Sequence, residues 1–254
     1  MGFRLENKLK TNKIDTIIHL AARAGVRPSI KDPFLYAKVN CIGTLNLLEM
    51  AKTFQVKKFL FASTSSVYGA NEKAPFSEDD PVEKMVSPYA ATKRACELFC
   101  RNYYELYKIP MCCIRFFTVY GPRQRPDMAI HKFTKALFEG REIEMFGDGS
   151  SERDYTYVSD IVDGVMRALD ADLGFEIINL GDSRVVKLSE LIKLLEKATG
   201  KKARIRELPP QDGDVPRTYA DISRAKRLLG YRAQYPIEKG IEHFVQWYRN
   251  EFPQ

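Results

Sequence analysis

The chain has 254 residues, of which 44% are hydrophobic and 29% charged, with 15 glycines and 13 prolines. This ordinary globular composition excludes disordered, collagen-like and low-complexity proteins, and no apolar run approaches the ~20 residues of a transmembrane helix. The start, MGFRLENKLK, has no signal-peptide core, and Glu6 interrupts a myristoylation motif. We therefore expect a soluble cytoplasmic protein with no membrane partner.

The net charge of +7 would suit a small anionic ligand or a nucleic acid equally. The basic residues are scattered and form no block, so we predict no nucleic-acid partner. The five cysteines include no C-x-x-C pair, and the three histidines are scattered. We accordingly predict no metal site and buried, reduced thiols.

The first half of the chain alternates predicted strands and helices. Apolar runs covered on both faces predict strands, and Asp-Pro and Ser-Pro pairs predict helix starts with a cap and a first-turn proline. The predicted strands are residues 14–20, 58–64 and 111–117, and the helices run from Asp32 to about Phe54 and from Ser87 to Tyr107. Strands that alternate with long helices pair in parallel, which predicts an α/β fold.

The second half is less regular. Its predicted elements are a helix near 128–139, a short strand before the turn 147–149, a helix capped by Ser159, a strand over FEIINL at 175–180, a helix over 188–199, a proline-rich loop at 207–217 and a helix from about Pro236. The pattern contains no internal repeat and no obvious flexible linker.

A tyrosine and a lysine one helical turn apart are the strongest chemical signal. Tyr89 and Lys93 open the helix after Ser87, and Thr64 ends the preceding strand. Residues at i and i+4 share a helical face, so the ammonium is expected to lower the pKa of the phenol and make it a base. Read alone, the pair could equally be a solvated chance match to Y-x-x-x-K.

Six further motifs accompany this pair in a fixed order. They read HLAA at 19–22, NCIGT at 40–44, STSSVYG at 63–69, RFFTVYGP at 115–122, RDYTYVSD at 153–160 and GDVPRTYAD at 213–221, with PYAATK at 88–93 holding the pair itself. Together they closely resemble the extended short-chain dehydrogenase/reductase family, in its NAD-dependent epimerase/dehydratase branch. AGVRPS at 24–29 and RPDMA at 125–129 resemble the UDP-glucuronate 4-epimerases in particular.

The resemblance implies a Rossmann-like, doubly wound parallel sheet with a smaller C-terminal α+β substrate domain. The expected dinucleotide-binding domain is 1–117 plus about 154–182, and the nucleotide-sugar domain is about 118–153 and 183–254. It also implies that Tyr89, Lys93 and Thr64 are catalytic and that NAD lies against Tyr89, Lys93, Leu20, Ala21, Ala22 and Asn40. The implied reaction is 4-epimerisation of a UDP-sugar through a 4-keto intermediate, without net redox change.

Substrate contacts follow from the same resemblance. Arg153 would hold the UDP pyrophosphate, Gln211 and Asp214 would close over the uridine ribose, and Thr118, Arg125, Ser65 and Ser66 would face the sugar C6 group. An arginine fork suits a carboxylate better than a hydroxymethyl group. Ser65 and Ser66 stand where related dehydratases and decarboxylases carry acids, which favours plain epimerisation. The alternatives are a surface salt bridge for Arg153 and a solvated loop at 122–126.

The 254 residues contain no G-x-x-G-x-x-G or G-x-G-x-x-G loop. From two strand–helix units of about 30 residues each, we expect that roughly 60 family residues, with the first strands and this loop, are absent, and that the chain binds NAD weakly. Three interpretations stay open: a UDP-glucuronate 4-epimerase, a UDP-glucose 4-epimerase, or an inactive member that binds nucleotide sugar as a partner subunit. A homodimer, or pairing with a full-length homologue, is expected.

Overall fold

The computed structural model describes residues 10–211 and 213–253. Its nine strands are β1 Thr16–His19, β2 Lys58–Thr64, β3 Met111–Phe116, β4 Thr118–Tyr120, β5 Glu142–Phe146, β6 Glu152–Tyr157, β7 Phe175–Leu180, β8 Val185–Lys187 and β9 Arg204–Leu208. Its helices are α1 Val26–Lys31, α2 Pro33–Tyr36, α3 Gly43–Thr53, α4 Pro88–Tyr107, α5 Ala129–Phe138, α6 Val158–Asp170, α7 Leu188–Thr199, α8 Ser223–Leu229 and α9 Ile237–Glu251. A π-helical segment, Ala37–Ile42, joins α2 to α3, and a 3-10 turn, Ser65–Tyr68, follows β2.

A four-stranded parallel sheet in the order β1-β2-β3-β7 forms the centre of the first half. The predicted α/β class and parallel pairing are therefore confirmed, and β2 has the predicted bounds. Six of the seven β2 residues are buried, as expected for a strand covered on both faces. The prediction of double coverage is wrong for β1, which is a four-residue edge strand whose Ile18 is 39% exposed.

The predicted helix starts are confirmed by their capping hydrogen bonds. The Asp32 side chain accepts from the backbone N–H of Leu35 at 3.0 Å, and the Ser87 hydroxyl accepts from that of Ala90 at 3.2 Å. Each cap precedes a proline, whose missing N–H costs nothing in the first turn. The helix from Ser87 then runs for 20 residues to Tyr107, as predicted.

The second half holds a three-stranded sheet, β4-β6-β8, and a parallel pair, β5-β9. The predicted cap at Ser159 is wrong: α6 begins at Val158 after Tyr157, whose own extended backbone turns into the helix, so Ser159 lies in the first turn. The loop predicted at 207–217 is also shorter, because β9 continues to Leu208 through its pairing with β5.

Three apolar clusters make up the core. One lies on each face of the main sheet, and the third lies between α5, α7, α9 and the small sheet. Within the described residues, no helix is long and apolar enough to cross a membrane. The proposed division into two domains stays a prediction, and β6 pairs with β4 and β8 outside the main sheet.

Candidate active site

A cavity of about 550 Å³ opens at the carboxyl edge of the parallel sheet, where ligands of open α/β sheets bind. β2 delivers Thr64 to this edge, the 3-10 turn adds Ser65 and Ser66, and the first turn of α4 supplies Tyr89. Six of the predicted site residues line it: Thr64, Ser65, Ser66, Tyr89, Thr118 and Arg125.

Tyr89 is placed beside Thr64, but its electrostatics differ from the expectation. Burial raises the pKa of the Tyr89 phenol above its usual value, and the neighbouring Thr64 hydroxyl and the Arg125 charge oppose this only in part. The expectation that Lys93 lowers the pKa of Tyr89 is therefore wrong, since this pKa is raised. The Lys93 ammonium binds a backbone carbonyl of β2 instead of the phenol.

Lys93, one helical turn after Tyr89 on α4, is 3% exposed. Its ammonium donates to the backbone carbonyl of Ala62 at 2.6 Å and lies 4.7 Å from the centre of the Phe61 ring. Burial lowers the pKa of Lys93 to about 8. The neighbouring His19 is buried against Thr44 at 3.0 Å, and burial lowers its pKa to about 4, so it is a neutral ring near neutral pH.

The residues expected to contact the cofactor fall into two groups. Leu20 and Ala21 are exposed just past the end of β1, and Ala22 is half-buried. Asn40 is 2% exposed. Its side chain accepts from the backbone N–H of Arg23 at 2.8 Å and donates to the Arg23 carbonyl at 3.1 Å. Asn40 therefore fixes the backbone of the 20–24 loop at Arg23.

The residues expected to face the sugar line the same cavity. The Thr64 hydroxyl donates to the Ser66 hydroxyl at 3.2 Å. Arg125, at the cavity rim, forms a two-pronged ion pair with Asp127, with Nε to Oδ1 at 3.0 Å and Nη2 to Oδ2 at 2.8 Å. The pair is exposed to solvent. A carboxylate thus already occupies the arginine fork in this structure.

A second cavity, of about 160 Å³, adjoins the first through Ser65, Ser66 and Thr118. Arg153 lines it, and burial lowers the pKa of its guanidinium. Its Nη1 donates to the backbone carbonyl of Glu152 at 2.9 Å. Among the described residues Arg153 forms no ion pair, so the alternative of a surface salt bridge is not what the structure has.

The two residues expected over the ribose are not placed alike. Asp214 lines the smaller cavity and forms an ion pair with Arg27 of α1 at 2.8 Å. Gln211 lines neither cavity, and its side-chain Oε1 is buried without a hydrogen-bond partner in the part of the chain that the structure describes.

Sequence reasoning missed a buried ion pair next to the site. Glu97 and Arg115 are 1% exposed each and contact one another directly. A usable signal was present, because Tyr89, Lys93 and Glu97 recur every four residues along one face of α4.

Comparison with known proteins identifies the family. The family model for GDP-mannose 4,6 dehydratase matches residues 3–244. A UDP-glucuronate 4-epimerase of Thermodesulfobacterium geofontis is 46% identical over 96% of this chain and 75% of its own length. The chain thus spans about three quarters of that relative.

Solved structures agree in fold. UDP-glucuronic acid 4-epimerase of Bacillus cereus, in complex with UDP-glucuronic acid and NAD, is 39% identical with a TM-score of 0.92 over 98% of this chain and 79% of that one. UDP-glucose 4-epimerase of Thermotoga maritima, with UDP-glucose, is 33% identical with a TM-score of 0.94 over 98% and 82%. The chain therefore belongs to the extended short-chain dehydrogenase/reductase family, among its NAD-dependent nucleotide-sugar 4-epimerases.

Proposed function

We propose that this chain carries the catalytic and sugar-binding residues of a UDP-glucuronate 4-epimerase, which interconverts UDP-glucuronate and UDP-galacturonate. The observation that carries the substrate assignment is the fork of Arg125 at the rim of the cavity that holds Thr64 and Tyr89. A guanidinium that binds one carboxylate through two N–H groups can bind another in the same way.

The residues present suit the nicotinamide half of NAD. Leu20 is 62% exposed at the sheet edge, where it can cover a flat ring, and Lys93 is an ammonium with three donors. The 254 residues carry no glycine-rich loop for a pyrophosphate, so the fit extends to this half only. When bound, NAD reversibly accepts a hydride from the sugar C4.

The side chains at the cavity divide the remaining work. Tyr89 takes the proton of the sugar 4-hydroxyl and returns it after the sugar has turned, and the Thr64 hydroxyl shares that proton. Ser65 and Ser66 place hydroxyls where acid–base chemistry for dehydration would need carboxylates. Arg153 lies in the adjoining cavity and would bind the nucleotide pyrophosphate.

Arg125 has a second role for a glucuronate substrate. A 4-keto glucuronate is a β-keto acid, which loses CO₂ when its carboxylate bond aligns with the carbonyl π-system. A fork that fixes the orientation of the carboxylate can hold it out of that alignment. The Arg125–Asp127 pair is exposed and therefore weak, so a substrate carboxylate can displace Asp127 at little cost.

A UDP-glucose 4-epimerase is the second candidate. The similarity to the Thermotoga maritima enzyme, with its TM-score of 0.94, supports it. The two candidates differ at C6 of the sugar, where one substrate has a carboxylate and the other a hydroxymethyl group. Arg125 is therefore the residue that separates them.

The test compares the two substrates in wild type and Arg125→Met, in this chain and in an extended chain that adds the quarter of the Thermodesulfobacterium geofontis enzyme outside the match. We expect turnover of UDP-glucuronate to fall roughly 10²-fold, about 3 kcal/mol of transition-state stabilisation, with far less change for UDP-glucose. The control is Arg141→Met, which removes an exposed arginine paired, like Arg125, with an acid two residues away. Equal losses on both substrates would refute the glucuronate assignment.

A further inference from the structure

The buried ion pair between Glu97 and Arg115 lies one helical turn beyond Lys93. Arg115 of β3 donates from Nε to Glu97 Oε1 at 2.9 Å and from Nη2 to Oε2 at 2.9 Å. Arg94 donates to the same carboxylate at 3.0 Å. These bonds hold the pKa of Glu97 below its usual value although burial acts to raise it, so the carboxylate is charged.

The carboxylate also connects α4 to the end of β2. The Ser63 hydroxyl donates to Glu97 Oε1 at 2.6 Å, directly before Thr64 in the chain. Ser63 is the register partner of Arg115 on the neighbouring strand, so the pair is fixed to both strands. Helix α4 and two strand ends thus meet at one side chain.

One face of α4 lies against three consecutive residues of β2. Glu97 accepts from the Ser63 hydroxyl, Lys93 donates to the Ala62 carbonyl at 2.6 Å, and Tyr89 lines the same cavity as Thr64. The Glu97 contact is about 12 Å along the helix from Tyr89, at 1.5 Å per residue. Glu97 therefore cannot touch a substrate bound at Tyr89.

Stability alone does not account for this pair. Two charges taken out of water gain little over apolar side chains of the same volume, because their desolvation offsets their attraction. Both oxygens of Glu97 are satisfied, and the Arg115 guanidinium also lies 4.9 Å from the centre of the Tyr68 ring. What the pair adds over an apolar contact is a fixed orientation.

We propose that Glu97 and Arg115 are positioning residues, which set α4 against the end of β2 through Ser63 and so hold Tyr89 against Thr64. This inference rests on the proposed function, since it concerns the placement of the proposed base. It predicts that weakening the link lowers kcat, which depends on Tyr89, by a larger factor than it raises KM, which depends on the cavity walls.

The first test is Ser63→Ala in the extended chain, which leaves the ion pair whole and removes only its link to β2. We expect kcat on UDP-glucuronate to fall roughly 10-fold, since small misplacements of reacting groups are costly, and KM to change by a smaller factor, because Ser63 is one of some twenty residues that line the cavity. Thr199→Ala is the control, because it removes a buried hydroxyl that donates to the Leu195 carbonyl at 2.7 Å on α7, far from the cavity. A rise in KM with kcat unchanged would overturn the proposal.

The second test is a double-mutant cycle with Tyr89→Phe. If Ser63 and Glu97 act through Tyr89, Ser63→Ala or Glu97→Gln adds no further loss once the phenol oxygen is gone. A 10-fold loss of kcat both in the wild type and in Tyr89→Phe would show that the pair does not act through Tyr89 and has a merely structural role.

A readout without turnover separates this inference from the proposed function. If the wild type converts no UDP-sugar, the proposed function fails, and backbone amide exchange over residues 89–93 of the 254-residue chain decides the positioning. We expect exchange there to quicken about 10-fold in Ser63→Ala and to stay unchanged in Thr199→Ala. Unchanged exchange in both variants would overturn the positioning role.

Discussion

At the scale of single residues, burial acts in opposite directions on the two ionisable side chains at the start of α4. It raises the pKa of the Tyr89 phenol and lowers the pKa of the Lys93 ammonium to about 8. Near neutral pH the phenol is therefore protonated. The Arg125 charge acts to lower the pKa of the phenol but does not offset its burial, and the Lys93 ammonium binds the Ala62 carbonyl instead. For Tyr89 to act as a base, a further positive charge must lie close to it.

Tyr89→Phe removes the phenol oxygen and keeps the ring that packs edge-on against Tyr36. Loss of a general acid–base group typically lowers turnover by about 10²-fold or more. We expect a loss of this size in the extended chain, measured by conversion of UDP-glucuronate, with UDP binding retained. Turnover close to that of the wild type would show that Tyr89 is not the base.

Lys93→Met is expected to stabilise the fold. The pKa of Lys93 in the folded chain, about 8, lies below its usual 10.5, so the unfolded chain binds more protons between these pH values and stability rises with pH there. The substitution removes the cost of burying the charged ammonium, which is about 3 kcal/mol at pH 7, and it loses a hydrogen bond worth about 1 kcal/mol.

Urea unfolding at pH 7 and pH 10 measures the effect. The variant should be more stable than the wild type by about 2 kcal/mol at pH 7, and this advantage should shrink toward pH 10. Lys132→Met, on the exposed side of α5, serves as the control. A difference that does not vary with pH would contradict the assigned pKa.

At the scale of elements, the sequence correctly predicted those boundaries of helices and strands that depend on residues close together in the chain. The β2 bounds and the Asp32 and Ser87 caps follow from apolar runs and from cap–proline pairs, which act within a few residues. The three-residue β4 and β8 and the π-helical segment 37–42 were not predicted, because they depend on partners distant in the chain or on packing against α4. The same holds for the candidate site: six of the predicted residues line one cavity, but their charges and partners depend on burial, which the sequence does not show.

Helix packing on the main sheet depends on Gly164 of α6. A Cβ there would lie 2.5 Å from Cδ1 of Leu180 on β7. Gly164→Ala should therefore lower the free energy of unfolding by roughly 0.5–2 kcal/mol, because overpacking costs more than the helix propensity of alanine returns.

Gly43→Ala is the matched control. Gly43 lies at the start of α3 with helical backbone angles, and its added Cβ would meet nothing within 4 Å. It should raise the free energy of unfolding by roughly 0.5–1 kcal/mol. Urea unfolding that gives the same sign for both variants would contradict the described contact between α6 and β7.

At the scale of the whole molecule, residues from both halves of the chain line two adjoining cavities. The larger lies at the carboxyl edge of the parallel sheet, and the smaller is lined by Arg153 of β6 and Asp214 of the loop after β9. Ser65 and Ser66, directly after β2, and Thr118, at the start of β4, line both cavities. Under the proposed function, the sugar would lie in the larger cavity and the phosphates of the nucleotide would lie toward Arg153.

Arg153→Met tests this arrangement through binding alone. A lost charge-assisted hydrogen bond costs about 1.5–3 kcal/mol, so the affinity for UDP should fall roughly 10- to 100-fold in calorimetry on the 254-residue chain. Arg184→Met, which removes the exposed partner of Asp182, should leave the affinity unchanged. The same affinity in wild type and Arg153→Met would place the phosphates elsewhere.

One measurement tests the central claim most directly: a proton NMR time course of UDP-glucuronate with NAD and the extended chain. The account predicts that UDP-galacturonate accumulates to an equilibrium mixture, that the sugar carboxylate is retained, and that Tyr89→Phe stops the conversion. A UDP-pentose with release of CO₂ as the main product, or conversion of UDP-glucose but not of UDP-glucuronate, would contradict it.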